Sequence, residues 1–429
     1  MLLLLFGSFV FLCIARVPIA FAMLVSSTLT ILVQGDVPLA IVPQRIWVGL
    51  NNFPLLAVPF FLFVGQLMNS SGISHRLIEF SNSLVGHFKG GLAHVNVVVS
   101  MIFAGISGVS SADTMGVGSV MIPAMEREGY SKGFSVGVTA ASSTLGNVIP
   151  PSLMMIIYSA SAGVSVGAMF LAGIVPGVLI GLGQMIWSYR VASREGIGAS
   201  RKFSIKDSVR TGRASALALL VPVIVIGGII GGVFTATEAS VVAVLYATLL
   251  TIIYGQFRPG SFFRVAQDST GLFALSLLCV AAASLWGWLL AFYNVPQTVV
   301  SALSDAGLLS SQITTLLFVV AIFLVIGTFM DAIPAIIILQ PIIGQIGLAV
   351  GIDPYHMGMV IVLTLAVGLI TPPYGLCLLI AADLAKMSVL SAMRALLPFY
   401  LISLAVVLAA VFIPDLILWI PRMMMPGSL

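Results

Sequence analysis

Residues 129–151 read GYSKGFSVGVTAASSTLGNVIPP, and residues 351–373 read GIDPYHMGMVIVLTLAVGLITPP. A shift of 222 residues (351 − 129) lays Gly129 on Gly351, Gly146 on Gly368 and Pro150-Pro151 on Pro372-Pro373 without a gap. Proline has no N–H and its ring clashes with the preceding turn, so each pair breaks an apolar helix. Matched, proline-broken segments in the two halves of a membrane chain are the sequence sign of a secondary transporter. Upstream, Asp113 stands ten residues before Pro123, and Asp331 ten residues before Pro341.

Composition places the chain in lipid. Of its 429 residues 60% are hydrophobic and 7% charged, with a mean hydropathy of +1.17, against roughly 25% charged residues in a soluble domain. At roughly 20 apolar residues per crossing, the length allows about a dozen membrane segments. Cys13, Cys279 and Cys377 lie far apart in apolar runs and read as buried or lipid-facing thiols. The opening residues lack a basic leader and outrun a signal peptide, so residues 2–32 read as a first membrane helix. No GxxxxGK[ST], HExxH, GxSxG or GxGD motif is placed to support ATP hydrolysis or proteolysis, and no enzyme or cofactor is expected. His75, His87, His94 and His356 have no metal-ligand spacing.

Charge placement orders these segments. Residues 187–213 hold Arg190, Arg194, Arg201, Lys202, Lys206, Arg210 and Arg213, seven of eighteen basic residues, without the aromatic interleaving of a nucleic-acid surface. The positive-inside rule puts this stretch in the cytoplasm, as the linker between a first half (1–186) and a second (214–429). Residues 93–125, interrupted by GISGVSSADTMGVG, form a re-entrant hairpin entered from the cytoplasm. Residues 133–161, broken at the prolines, then cross outward, and 162–185 return. In the second half, 214–234, 240–256 and 271–292 cross; a second hairpin at 315–349, broken around GTFMDAIP, enters from outside; 355–383 is the second broken helix. The last span, 397–420, leaves the C-terminus outside. Helices near 54–68 and an amphipathic stretch near 75–87 complete the first half. The expected fold is an all-α polytopic membrane protein of inverted repeats, with two re-entrant hairpins and two discontinuous helices.

The breaks carry the chemistry. Carbonyls in Gly146-Asn147-Val148-Ile149 and Gly368-Leu369-Ile370-Thr371 lose helical donors to the prolines. They become oxygen ligands at a negative helix end, suited to a hard monovalent cation such as sodium, with the Thr371 hydroxyl added in the second break. The alternative is a kink completed by neighbouring helices. The tip at 105–114 is the most polar stretch within any apolar segment. Asp113 and Asp331 read as intramembrane carboxylates, functional by default, or equally as N-caps of helices starting at Thr114 and Ala332. Glu238 suits the first turn of a helix, and Arg16 either snorkels to an interface or attracts an anion. Trp47, Trp187 and Trp419 read as interfacial anchors.

GISGVSSADTMGVGSVMIPAM (105–125), SSTLGNVIPPS (142–152), GGVFTATEAS (231–240), GLITPP (368–373) and RVPIAFAM (16–23) together resemble the large membrane subunit of TRAP transporters, the tripartite ATP-independent periplasmic transporters. The resemblance covers essentially the whole chain, with the motifs in family order. It implies an elevator-type module of the bacterial inner membrane, working with a small four-helix membrane subunit and a periplasmic substrate-binding protein. It implies sodium-driven import of an organic acid such as a C4-dicarboxylate or sialic acid. Carried over, one sodium site uses Ser107, Gly146, Ile149 and Pro151; the other uses Gly327, Thr328, Gly368, Thr371 and Tyr374. Substrate lies between the hairpin tips, with Ser110, Ser111, Asp113, Asn147 and Asp331 as candidate contacts. The rivals are a stand-alone carboxylate or ion exchanger of the same superfamily, a channel and a membrane-embedded enzyme.

Overall fold

The computed structural model describes residues 1–428, and every regular element among them is a helix. The first half contains α1 (Leu2–Ile14), α2 (Ile19–Gln34), α3 (Ile41–Leu50), α4 (Ala57–Ser70), α5 (Ile73–Val85), α6 (Gly91–Ser107), α7 (Ser110–Arg127), α8 (Lys132–Ser143), α9 (Leu153–Ala162) and α10 (Val166–Glu195). The second contains α11 (Ile205–Ile230), α12 (Ala236–Ile253), α13 (Pro259–Phe292), α14 (Val295–Asp305), α15 (Gln312–Gly327), α16 (Ala332–Val350), α17 (Pro354–Gly368), α18 (Leu376–Leu384), α19 (Val389–Phe412) and α20 (Asp415–Met424).

The shift seen in one block governs nearly the whole chain. Adding 222 to the bounds of α5 through α9 returns those of α14 through α18 to within a few residues, and α2 and α10 map likewise onto α12 and α19. The mates α6–α7 and α15–α16 are the two hairpins; α8–α9 and α17–α18 are the two broken helices. The halves are inverted. The Tyr158 hydroxyl near the end of α9 donates to Pro354 O at the start of α17 (2.8 Å), and Ser165 N donates to the Tyr355 hydroxyl (3.1 Å). The return arm α7 packs on α18, and α16 on α9. Each hairpin thus lies against the opposite half's second half-helix, which antiparallel halves allow and parallel halves do not.

Several sequence expectations change. Among the described residues six helices are long and apolar enough to cross a membrane, and α3 with the segment after it, bent by 61°, makes a seventh. The hairpin arm α16 is one of the six, whereas α6, α15 and the half-helices are shorter because each stops at a break. The single helix expected over 2–32 is the pair α1 and α2, packed on each other, with Arg16 at φ 64° and Pro18 forming the turn. Likewise, the span expected over 397–420 ends at Phe412. Pro414 starts α20, which packs against α10 and holds an Arg422–Asp415 ion pair at 2.7 Å.

The basic stretch 187–213 is mostly helix: α10 runs on to Glu195 and α11 begins at Ile205. Only residues 196–204 form a strap, and it is tied down. Gly90 N donates to Gly198 O (3.0 Å), Ser200 N to Gly86 O (2.9 Å) and the Ser200 hydroxyl to Asn82 Oδ1 (2.8 Å), at the corner where α5 turns into the first hairpin. Arg201 pairs with Asp207 at 2.7 Å.

Candidate functional site

The first hairpin turns in two residues. Gly108 sits at φ 64°, and a Cβ there would lie 2.5 Å from Pro151 O, so only glycine allows this approach to the broken helix. Leu153 N donates to Gly108 O (3.2 Å), and Ser110 N to Asn147 Oδ1 (3.4 Å). These bonds stitch the tip to the break. In the break itself, α8 tightens into a 3₁₀ turn over Thr144–Asn147 ahead of the cis Pro150-Pro151 bond. The prolines remove the helical donors of the Gly146 and Asn147 carbonyls. Asn147 O is repaired by the Ser152 hydroxyl at 2.7 Å, which also caps α9.

Asp113 and Ser107 face this break from the hairpin. The Ser107 hydroxyl donates to Asp113 Oδ1, and both side chains are fully buried. Asp113 Oδ2 has no protein partner among the described residues, nor has the buried Ser110 hydroxyl. A Cβ on Gly146 would stand 2.6 Å from that free carboxylate oxygen, so this oxygen rests against the Gly146 backbone. A buried carboxylate left half-satisfied is costly. Here it joins hydroxyls and a carbonyl freed from its helix, an all-oxygen set fit for a hard cation. Among the described residues no group of three His, Cys, Asp or Glu side chains gathers as a transition-metal site.

The second tip follows the same plan more openly. Gly327 and Gly368 touch through backbone: a Cβ on Gly368 would lie 3.0 Å from Gly327 Cα. Tyr374 N donates to Thr328 O (3.1 Å), and Cys377 N repairs Leu369 O (3.0 Å) across the second cis prolyl bond, Pro372-Pro373. The hydroxyls of Thr328 and Thr371 bond back to Val325 O (2.6 Å) and Val367 O (2.8 Å). Unlike Ser107 and Asp113, Thr328, Thr371 and Tyr374 are half-buried.

The two aspartates part company here. Asp331 is the N-cap of α16, its Oδ1 accepting from Ala332 N at 2.8 Å. Asp113 does not cap a helix from Thr114: α7 already begins at Ser110 behind Val109, and Asp113 lies within its first turn. Nor are they repeat mates, since the 222-residue shift carries Asp113 to Ala335 and Asp331 to Val109. Ile149 and Pro151 lie in the first break, and Ser111 is half-buried on the first turn of α7. Cys377, read as a buried or lipid-facing thiol, is buried on α18, which packs against α7. Glu238 closes a capping box with Thr235 at the start of α12, a fuller role than complementing the helix dipole.

The family model for the DctM component of tripartite ATP-independent periplasmic transporters matches residues 6–416. A sialic acid TRAP transporter large permease protein of Vibrio cholerae is 35% identical, over 95% of this chain and 96% of that one. A C4-dicarboxylate TRAP transporter large permease protein of Pseudomonas aeruginosa is 36% identical, over 92% and 93% respectively. Among solved structures, the YdaH transporter of Alcanivorax borkumensis, described as having an unusual topology, superimposes with a TM-score of 0.62 at 15% identity over 84% of each chain. That likeness concerns the fold alone.

Proposed function

This chain belongs to the DctM family, the large permease component of tripartite ATP-independent periplasmic transporters, and from that premise we propose that it imports an organic acid anion by sodium symport. The family is one of multi-pass membrane transporter subunits, not enzymes. The observation that carries the sodium reading is the free Asp113 oxygen, buried against Gly146 where a helix has lost its donors. A cation there offsets a charge that protein alone leaves half-satisfied. In this reading Ser107, Gly146, Ile149 and Pro151 hold one sodium ion. Gly327, Thr328, Gly368, Thr371 and Tyr374 hold a second, and the anion lies between the tips near Ser110, Ser111, Asp113, Asn147 and Asp331. Sodium stabilises the tips only insofar as it binds the substrate-competent arrangement more tightly.

The partners in this reading are a small four-helix membrane subunit and a periplasmic substrate-binding protein that delivers the anion. The chain sits in the bacterial inner membrane with the strap in the cytoplasm and the C-terminus outside, and residues 1–186 and 214–429 act as the two repeat halves. The loaded tips slide against a scaffold in an elevator motion. The test is uptake of labelled succinate and sialic acid into proteoliposomes holding the assembled transporter, with a sodium gradient or with choline. We expect uptake to need sodium, and the combined S107A, S110A and T371V substitutions to abolish that dependence. Wild-type coupling in the triple variant sinks the assignment.

A further inference from the structure

A cavity of about 640 Å³ lies between α3 and α13 on one side and α9, α16 and α17 on the other. That is within the roughly 300–1,000 Å³ of small-molecule sites. Its walls include the end of α9 and the start of α17, so it opens on the face opposite the basic strap. It is lined by Gly49, Asn52, Ser284, Trp288, Gln340 and Gly344 among others. Val48 and Gly49 both line it, and Arg45 precedes them by three and four residues. Arg45 therefore shares their face of α3, one turn nearer the helix start. Its guanidinium stands 5.2 Å from the ring centre of Trp288. It has no carboxylate partner among the described residues, and its Nε is buried with no protein acceptor. In the cavity wall the Asn52 amide donates to Ala160 O (3.3 Å), while its Oδ1 is buried and unpartnered among the described residues.

We infer that this cavity is an outer binding site for a hydroxylated carboxylate, with Arg45 holding the carboxylate and Asn52 Oδ1 accepting from a hydroxyl or amide of the same molecule. A half-buried guanidinium beside the cavity with no carboxylate partner is free to take an anion, and its planar fork matches a carboxylate. A bare dicarboxylate leaves the Asn52 acceptor unmet, and a hydroxy acid or sugar acid does not. The site is one-sided by construction. The bend of 61° after α3, at Asn51-Asn52-Phe53-Pro54, has no counterpart in the unbroken α13, and the shift by 222 puts neutral Gln267 where Arg45 stands. An anion-attracting site on the outer face alone suits import, and the inference rests on the organic acid reading above.

The test is thermal melting of the purified chain in succinate, malate or sialic acid at matched sodium and ionic strength, since selective binding to the native state raises its stability. We expect malate and sialic acid to raise the midpoint more than succinate does. Both rises should vanish in Arg45→Gln and shrink in Arg45→Lys. Gly344→Leu fills the cavity from α16, where an added Cβ meets only Gln340 Nε2 at 3.4 Å, and it should lose the same rises even if Arg45→Gln does not fold. Unchanged rises in both variants, or none in the wild type with any probe, overturn the site. Equal rises with succinate and malate overturn the Asn52 role. A sodium-specific rise that survives in Arg45→Gln marks the cation sites as separate, so either reading can fail alone.

Discussion

At the scale of single residues the tips are governed by how closely backbones approach. Gly368→Ala would put a methyl 3.0 Å from Gly327 Cα and 3.1 Å from Gly327 O, atoms with no rotamer to yield. Overpacking of this kind costs about 1–3 kcal/mol. We expect a lower melting midpoint and a loss of sodium-specific stabilisation beyond what a general loss of stability accounts for, read from melts in sodium and choline. Some of this was legible in sequence. The double prolines marked both breaks, because proline's missing donor is a property of the residue itself, and Asp331 caps by a local rule. Asp113 was half legible: its reading as an intramembrane carboxylate agrees with its full burial, whereas the cap reading fails and its partner Ser107, across the tip, was hidden.

At the scale of elements, apolar runs foretold the hairpins and broken helices but not how consecutive segments turn. Hydropathy measures length and not direction, so the α1–α2 turn was hidden until Arg16 and Pro18 were seen to make it. The helix α14 was missed because VPQTVVSALSD (295–305) is too short and polar to read as a span. Its mate α5 was visible as an amphipathic stretch, and the same shift of 222 would have exposed α14. Caps are a separate local signal. In α12, Thr235 N and its hydroxyl each donate to Glu238 Oε2 at 2.8 Å, and the hydroxyl accepts from Glu238 N at 3.3 Å. Thr235→Ala should cost about 1 kcal/mol of stability, and Thr235→Ser should restore most of it, as measured by melting midpoints.

At the scale of the whole molecule the two halves are near copies turned upside down, and a body built so has little intrinsic sense of up. Turned over, hairpin falls on hairpin and break on break, so the repeated elements offer no reason to prefer either pose. In the proposed orientation the preference resides in charges outside those elements, above all around the strap, where the positive-inside rule acts. Replacing Arg190, Arg194, Lys202 and Lys206 with glutamine should yield a mixed population, some chains with the C-terminus inside and some outside. C-terminal reporter fusions active on only one side of the membrane would measure the proportions, and a single unchanged orientation would show that other residues decide it. In the proposed orientation, which way the repeats face is decided while the chain is being inserted, by a few side chains that the cargo never meets.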